Sequence, residues 1–244
     1  MPYRRLPNTD AARLKALHTA YNKGKELPPF KLGFSQATLQ RIQSFLPSFE
    51  NALFENRQAY LNQIRKSKDY AKDVKKAKLY ISHFIQVVNM AILRGDLPEG
   101  ERKFFGISET SKRLPPLNTE SDIIKWGEKL LLGESLRKAK GLSPITNPTI
   151  AVVTVRYEKF LEAYKFQKML QKNYLRAQER LINLREKADE IIVSVWNEVE
   201  ETFKDLPDGT RREKAKAYGL VYVFRKNELK KLNLSSDSKI RGII

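Results

Sequence analysis

The chain says much the same thing twice. Leu6-Pro7-Asn8-Thr9-Asp10 recurs as Pro116-Leu117-Asn118-Thr119-Glu120, and Ser35-Gln36-Ala37-Thr38-Leu39 as Thr146-Asn147-Pro148-Thr149-Ile150. Phe49 and Ala52 recur as Phe160 and Ala163, Ala77 as Ala188, and Asp96-Leu97-Pro98-Glu99-Gly100 as Asp205-Leu206-Pro207-Asp208-Gly209. The offset between partners stays between 109 and 111 residues, and their order is kept. A tandem duplication of one unit explains this. A duplicated helix with a greasy stripe also supplies its own partner, since one helix cannot bury its stripe alone.

The repeated grammar is helical. Each copy opens with Asn-Thr and an acid, a helix N-cap with negative charge in the first turn. The first short helix is expected from Asp10 to Asn22, carrying Leu14, Leu17 and Tyr21 and stopping near Gly24. The second is expected from Glu120 to Lys138, carrying Ile123, Trp126 and Leu130 and stopping near Gly141. A Pro-containing connector follows in each copy, Leu27-Pro28-Pro29 and Leu142-Ser143-Pro144.

Long stretches almost without helix breakers come next. Residues 35–94 hold no Gly and only Pro47, and residues 149–206 hold neither. Their apolar residues keep one helical phase throughout, from Ile42, Leu46 and Phe49 to Val88 and Ile92, and from Val153, Tyr157 and Phe160 to Val199 and Phe203. Each stretch reads as one very long helix, the first kinked at Pro47, or as a helical hairpin broken near Arg65–Asp69 and near Lys172-Asn173. The expected fold is all-α, an elongated antiparallel helical bundle of two tandem repeats of about 110 residues. Repeat 1 covers residues 1–106 and repeat 2 covers 118–219, with a semi-stiff, Pro-containing connector over 107–117. After a short basic helix from Thr210 to Ala217, residues 220–244 comprise an apolar segment, Leu220–Phe224, readable as a short strand or a docked strip, and a basic tail expected to be disordered from about Leu232. The two repeats are expected to pack into one bundle.

Charge is the compositional hint about partners. The net charge is +18 in 244 residues, an excess that attracts polyanions. Residues 65–80 carry seven Lys/Arg against two Asp, and residues 210–244 carry ten against three acids. Residues 182–209 run the other way, with eight acids against three bases. The polyanion-contact candidates are Arg65, Lys66, Lys68, Lys72, Lys75, Lys76 and Lys78, spread around their helix with Tyr70 and Tyr80 interleaved, and Arg211, Arg212, Lys214 and Lys216. Such cations suit phosphate contacts without base readout.

Chemistry-bearing patterns do not emerge. The chain has no cysteine and two histidines. Neither His18 nor His83 has the Glu three residues earlier that a di-metal helical bundle uses. Both read as structural, and no zinc ligand set converges. Glu186, Asp189, Glu190, Glu198, Glu200 and Glu201 read as an exposed acidic face rather than a catalytic pair. No nucleophile elbow, phosphate-binding glycine loop or dinucleotide fingerprint occurs. No catalytic, metal or cofactor site and no small-molecule substrate is therefore expected. No signal peptide or membrane span is evident, so a cytoplasmic location is expected. The first functional reading is a non-enzymatic structural or interaction protein, a scaffold or adaptor with a protein partner or a second copy of itself. The alternative is sequence-nonspecific DNA or RNA binding through basic helix faces.

Overall fold

A computed structural model describes residues 2–108 and 113–225. The protein is all-α. The helices are α1 (Asp10–Glu26), α2 (Gln36–Leu93), α3 (Glu120–Ala139), α4 (Ile150–Thr202) and α5 (Asp208–Lys216), with 3-10 helices at Pro29–Lys31 and Glu99–Phe105. Among the described residues, the strands are β1 (Tyr3–Arg4) and β2 (Tyr222–Val223), paired antiparallel with Tyr3 opposite Val223 and Arg4 opposite Tyr222. The Leu220–Phe224 segment thus does contribute a short strand. No described helix is long and apolar enough to cross a membrane.

The two long stretches are single helices, not hairpins. α2 has 58 residues and α4 has 53, lengths of about 87 and 80 Å at 1.5 Å per residue. The segment Arg65–Asp69 stays helical because it holds neither Gly nor Pro, and long basic side chains lose little freedom in a helix. Pro47 lies inside α2 on its exposed side, where water can reach the carbonyl that a proline leaves unbonded.

Helix starts follow the duplicated grammar. Thr9 accepts a hydrogen bond from the Ala12 amide, and Thr119 from the Asp122 amide while Asp122 reaches back to the Thr119 amide, a full capping box. The repeated Asp-Leu-Pro sequence likewise precedes a helical turn in both copies. Pro98 and Pro207 are the N-cap residues, followed by a 3-10 helix in one copy and α5 in the other. One expected end is wrong: Gly24 lies inside α1, which runs on to Glu26 and is stopped by Leu27-Pro28-Pro29. The α-region is disfavoured before proline. The expected tail from Leu232 and the middle of the 107–117 connector lie outside the described residues.

The chain divides into two compact units, and each draws on both sequence repeats. Among the described residues, one unit contains residues up to 58 and from 175 on, and the other those between Ala59 and Tyr174. The first therefore holds α1, the first part of α2, the last part of α4 and α5. The second holds the last part of α2, the 3-10 helix at Glu99–Phe105, α3 and the first part of α4.

In the first unit the two long helices run antiparallel. Glu198 meets Ser35 and Thr38, whereas Arg180 meets Glu55. Ile42, Leu46, Phe49 and Ala52 of α2 pack with Leu181, Ala188, Ile192, Val195, Trp196 and Val199 of α4, closed over by Ala16, Leu17 and Ala20 of α1. The second unit repeats the scheme. The Tyr60 and Tyr174 rings meet at a tilt of 46°, and Arg156 covers Tyr80, so the two helices are again antiparallel. Its core joins Ala77, Ile81, Phe84, Ile85 and Val88 to Val153, Tyr157 and Phe160, with Ile123 and Leu130 of α3. Two glycines let α3 settle there. A Cβ on Gly127 would lie 2.3 Å from the Tyr157 ring, and one on Gly133 would lie 2.6 Å from the Phe104 carbonyl oxygen.

Candidate functional site

The continuity of α2 decides how its basic stretch is presented. Arg65, Lys68, Lys72 and Lys75 or Lys76 follow one another at steps of three or four residues. Such steps keep side chains on one helix face. The opposite phase, through Tyr70, Val74, Ala77 and Ile81, faces the core of the second unit. These cations therefore form a row rather than spreading evenly around the helix, while Lys66 and Lys78 fall outside it. All seven basic residues from Arg65 to Lys78 are exposed. Within the row, Lys72 pairs with Asp69 at 3.3 Å, both largely in water, a contact worth a fraction of a kcal/mol at most. The others make no ion pair among the described residues.

The interleaved tyrosines point elsewhere. The Tyr70 hydroxyl donates to Glu120 at 2.6 Å. Burial, reinforced by that hydrogen bond, pushes its pKa well above the ordinary phenol value. Tyr80 is half-buried beneath the Arg156 guanidinium, 5.5 Å from its ring centre. Neither presents a free ring for stacking a base. A shallow groove of about 750 Å³ runs beside Tyr70 and Val74 to the start of α3, with Lys75 and Lys78 on its lip.

The second basic set lies in the other unit, on α5. Arg211 and Arg212 are half-buried and both pair with Asp208, at 2.8 and 3.6 Å. Lys214 sits 5.5 Å above the Phe203 ring. Lys216 lines an open cavity of about 490 Å³ together with Arg5, Lys15 and the buried Trp196.

The acids of α4 do not form one exposed face. Asp189 takes two hydrogen bonds from Arg13, at 2.8 and 2.9 Å, and Arg185 gives two to Asp10, both at 2.7 Å. These reciprocal forks tie α1 to α4. Hydrogen bonding to Asp189 raises the Arg13 pKa against the opposing effect of burial, and Asp10 does the same for Arg185. Glu198 is half-buried at the start of α2, accepting from Ser35 N at 2.6 Å, Thr38 Oγ1 at 2.5 Å and Ser194 at 3.4 Å. Burial pushes its pKa up, but these donors together outweigh it and hold the carboxyl below its ordinary value. Glu200 takes the Tyr222 hydroxyl at 2.7 Å and pairs with Arg4 at 3.2 Å, anchoring the strand pair. His18 meets Glu50 at 2.8 Å between α1 and α2, while His83 is exposed.

Sequence reasoning missed a buried ionic cluster in the second unit. Arg137 and Glu134 are both fully buried, and Glu101 and Arg102 nearly so. The Arg137 guanidinium donates to Glu101 at 2.8 Å and to Glu134 at 2.8 Å, and Glu134 also accepts the Ile145 amide at 2.8 Å. Its partners come from three segments, so it locks the 3-10 helix, α3 and the α3–α4 loop together. The residue types alone signalled solvent, because only a tertiary partner makes a charged side chain tolerable inside. No group of three or more His, Cys, Asp or Glu suited to holding a metal ion occurs among the described residues. In comparison with known proteins, no family model matches the chain, nor does any curated protein or solved structure.

Proposed function

We propose that this is a non-enzymatic interaction protein that binds nucleic acid without reading its sequence, through the phosphate backbone. The observation that carries the reading is the row Arg65, Lys68, Lys72, Lys75 and Lys76 on one exposed face of α2. It places five cations along about 16 Å of helix, at 1.5 Å per residue. The chain's +18 charge supports the same partner. Of the two acids in the same stretch of α2, Asp69 pairs with Lys72 and Asp73 is half-buried, so the five cations outnumber them on this face.

The magnitude is testable. Neutralising about five phosphates of duplex DNA gives a slope of about −4.5 in log affinity against log salt, or roughly a 500-fold loss between 50 and 200 mM. Fluorescence anisotropy with mixed-sequence duplexes should show that slope. The triple variant K68E/K72E/K75E should weaken binding equally across sequences and flatten the slope by about 2.7. Undetectable binding at 50 mM salt and tens of micromolar protein would overturn the reading. A second reading, a scaffold or adaptor working through protein contacts, is favoured by apolar side chains left exposed on α4, among them Val152, Val155, Phe166 and Met169.

A further inference from the structure

α4 is apolar on two faces where it crosses the second unit. One face, through Val153, Tyr157 and Phe160, is core. On the opposite face Val152, Val155, Phe166 and Met169 are 41%, 49%, 44% and 47% exposed. Lys159 and Glu162 sit between them and are also exposed. The six positions 152, 155, 159, 162, 166 and 169 are separated by steps of 3, 4, 3, 4 and 3. That is an a/d heptad seam, running about 26 Å along the helix at 1.5 Å per residue. It stops at both ends: α4 begins at Ile150, and the next seam positions are Asn173 and Arg176.

The seam is also a palindrome in chemistry. Set an identical helix antiparallel against it about a twofold axis between residues 160 and 161. Val152 then meets the other copy's Met169, and Val155 meets Phe166. Lys159 meets Glu162, twice, once on each side of the axis. These are the a-to-d layers of an antiparallel pair. The flanking positions agree, since Glu158 comes beside Lys165 of the other copy, again twice. Glu158, Lys159, Glu162 and Lys165 are all exposed and make no ion pair among the described residues.

We propose that this face of α4 is a homodimer interface, in which two copies of the chain pair antiparallel about a twofold axis between residues 160 and 161. A twofold contact must be self-complementary, each patch meeting itself reversed. This seam meets that requirement in size, polarity and charge. A parallel pairing would set Lys159 against Lys159 and Glu162 against Glu162. The contact is short, six seam positions along about 26 Å of one helix, so the dimer is expected at micromolar concentrations or above. The inference does not rest on nucleic-acid binding, because the seam lies on α4 and the cationic row on α2.

Sedimentation velocity between roughly 10 and 300 μM protein tests it. The wild type should shift from monomer to dimer across that range. Glu162→Lys sets two lysine pairs at the centre of the seam and should weaken the dimer at least tenfold. The charge swap K159E/E162K rebuilds both pairs with signs reversed and should restore it to within about threefold. Since all these side chains are exposed, circular dichroism should show each variant folded as the wild type is. The chain has no cysteine, so V155C/F166C on mild oxidation should give a dimer linked 155 to 166, read by peptide mass spectrometry. A wild type monomeric at 300 μM, an E162K variant that dimerises like the wild type, a charge swap that fails to rescue, or a 155-to-155 link would each overturn the proposal.

Discussion

Replacing Arg137 with methionine should be among the most damaging single changes to the second unit. Arg137 is fully buried and holds two carboxylates, Glu101 and Glu134, through hydrogen bonds of 2.8 Å each. Methionine is unbranched and fills much of the same volume, so the cost comes mainly from two carboxylates left without their cation. Removing one partner of a buried pair costs about 3–5 kcal/mol, and with two acids stranded a loss of about 4 kcal/mol is expected. In a unit of this size that lowers Tm by roughly 15–30 °C. The two tryptophans make the assay selective, because Trp126 belongs to the second unit and Trp196 to the first. In a Trp196→Phe background, urea unfolding followed by fluorescence reports the second unit, with or without Arg137→Met. A loss below about 1 kcal/mol would refute the reasoning, because it would mean that the carboxylates find water or another cation.

Three further outcomes follow from other contacts. Gly133→Ala puts a methyl 2.6 Å from the Phe104 carbonyl oxygen, so the backbone must shift; thermal melts should show a loss of about 1–3 kcal/mol, and an unchanged Tm would contradict the close approach of α3. Glu198→Gln tests a pH dependence: the folded carboxyl titrates below its ordinary value, so its contribution is present above about pH 4.3 and lost as pH falls through the lowered folded value. Urea titrations should therefore show Glu198→Gln less stable than wild type at pH 7 and the difference closing toward pH 3; a gap that widens in acid would have the wrong sign. Thr119→Ala removes a capping box and should cost about 1 kcal/mol, seen as faster amide exchange in the first turn of α3.

The long helices were legible in the sequence because their signals are local. Residues 149–206 contain no Gly or Pro, and the apolar phase never slips, so nothing nearby competes with helix. Thr9 and Thr119 were legible for the same reason, since a cap bonds within three residues of itself. The choice between long helices and hairpins was harder. It depends on which distant stripe covers Ile42 and Phe49, and the structure answers with the far end of α4. That tertiary step also explains why the compact units differ from the repeats. Glu198, Arg137 and Glu134 were misjudged or missed because, beside one local partner each, they depend on partners 11 to 163 residues away: Ser35 for Glu198, Glu101 for Arg137 and the Ile145 amide for Glu134. Charge alone predicts exposure until a partner is known. The cationic row was legible in the spacing of Arg65, Lys68, Lys72, Lys75 and Lys76, at steps of three or four residues, and was misread because Lys66 and Lys78, which lie off that face, were counted with it.

Cross-linking tests most directly the claim that each unit is built from one part of each long helix. In this cysteine-free chain, Glu55→Cys and Arg180→Cys replace side chains that touch at 2.7 Å, and a short bis-maleimide should join them within one molecule. Glu55→Cys with Tyr80→Cys, separated by 25 residues of one helix and so about 37 Å along it, should give no such product. The reverse result, with 55 captured by 80 and not by 180, would show α2 folded back on itself and contradict the account.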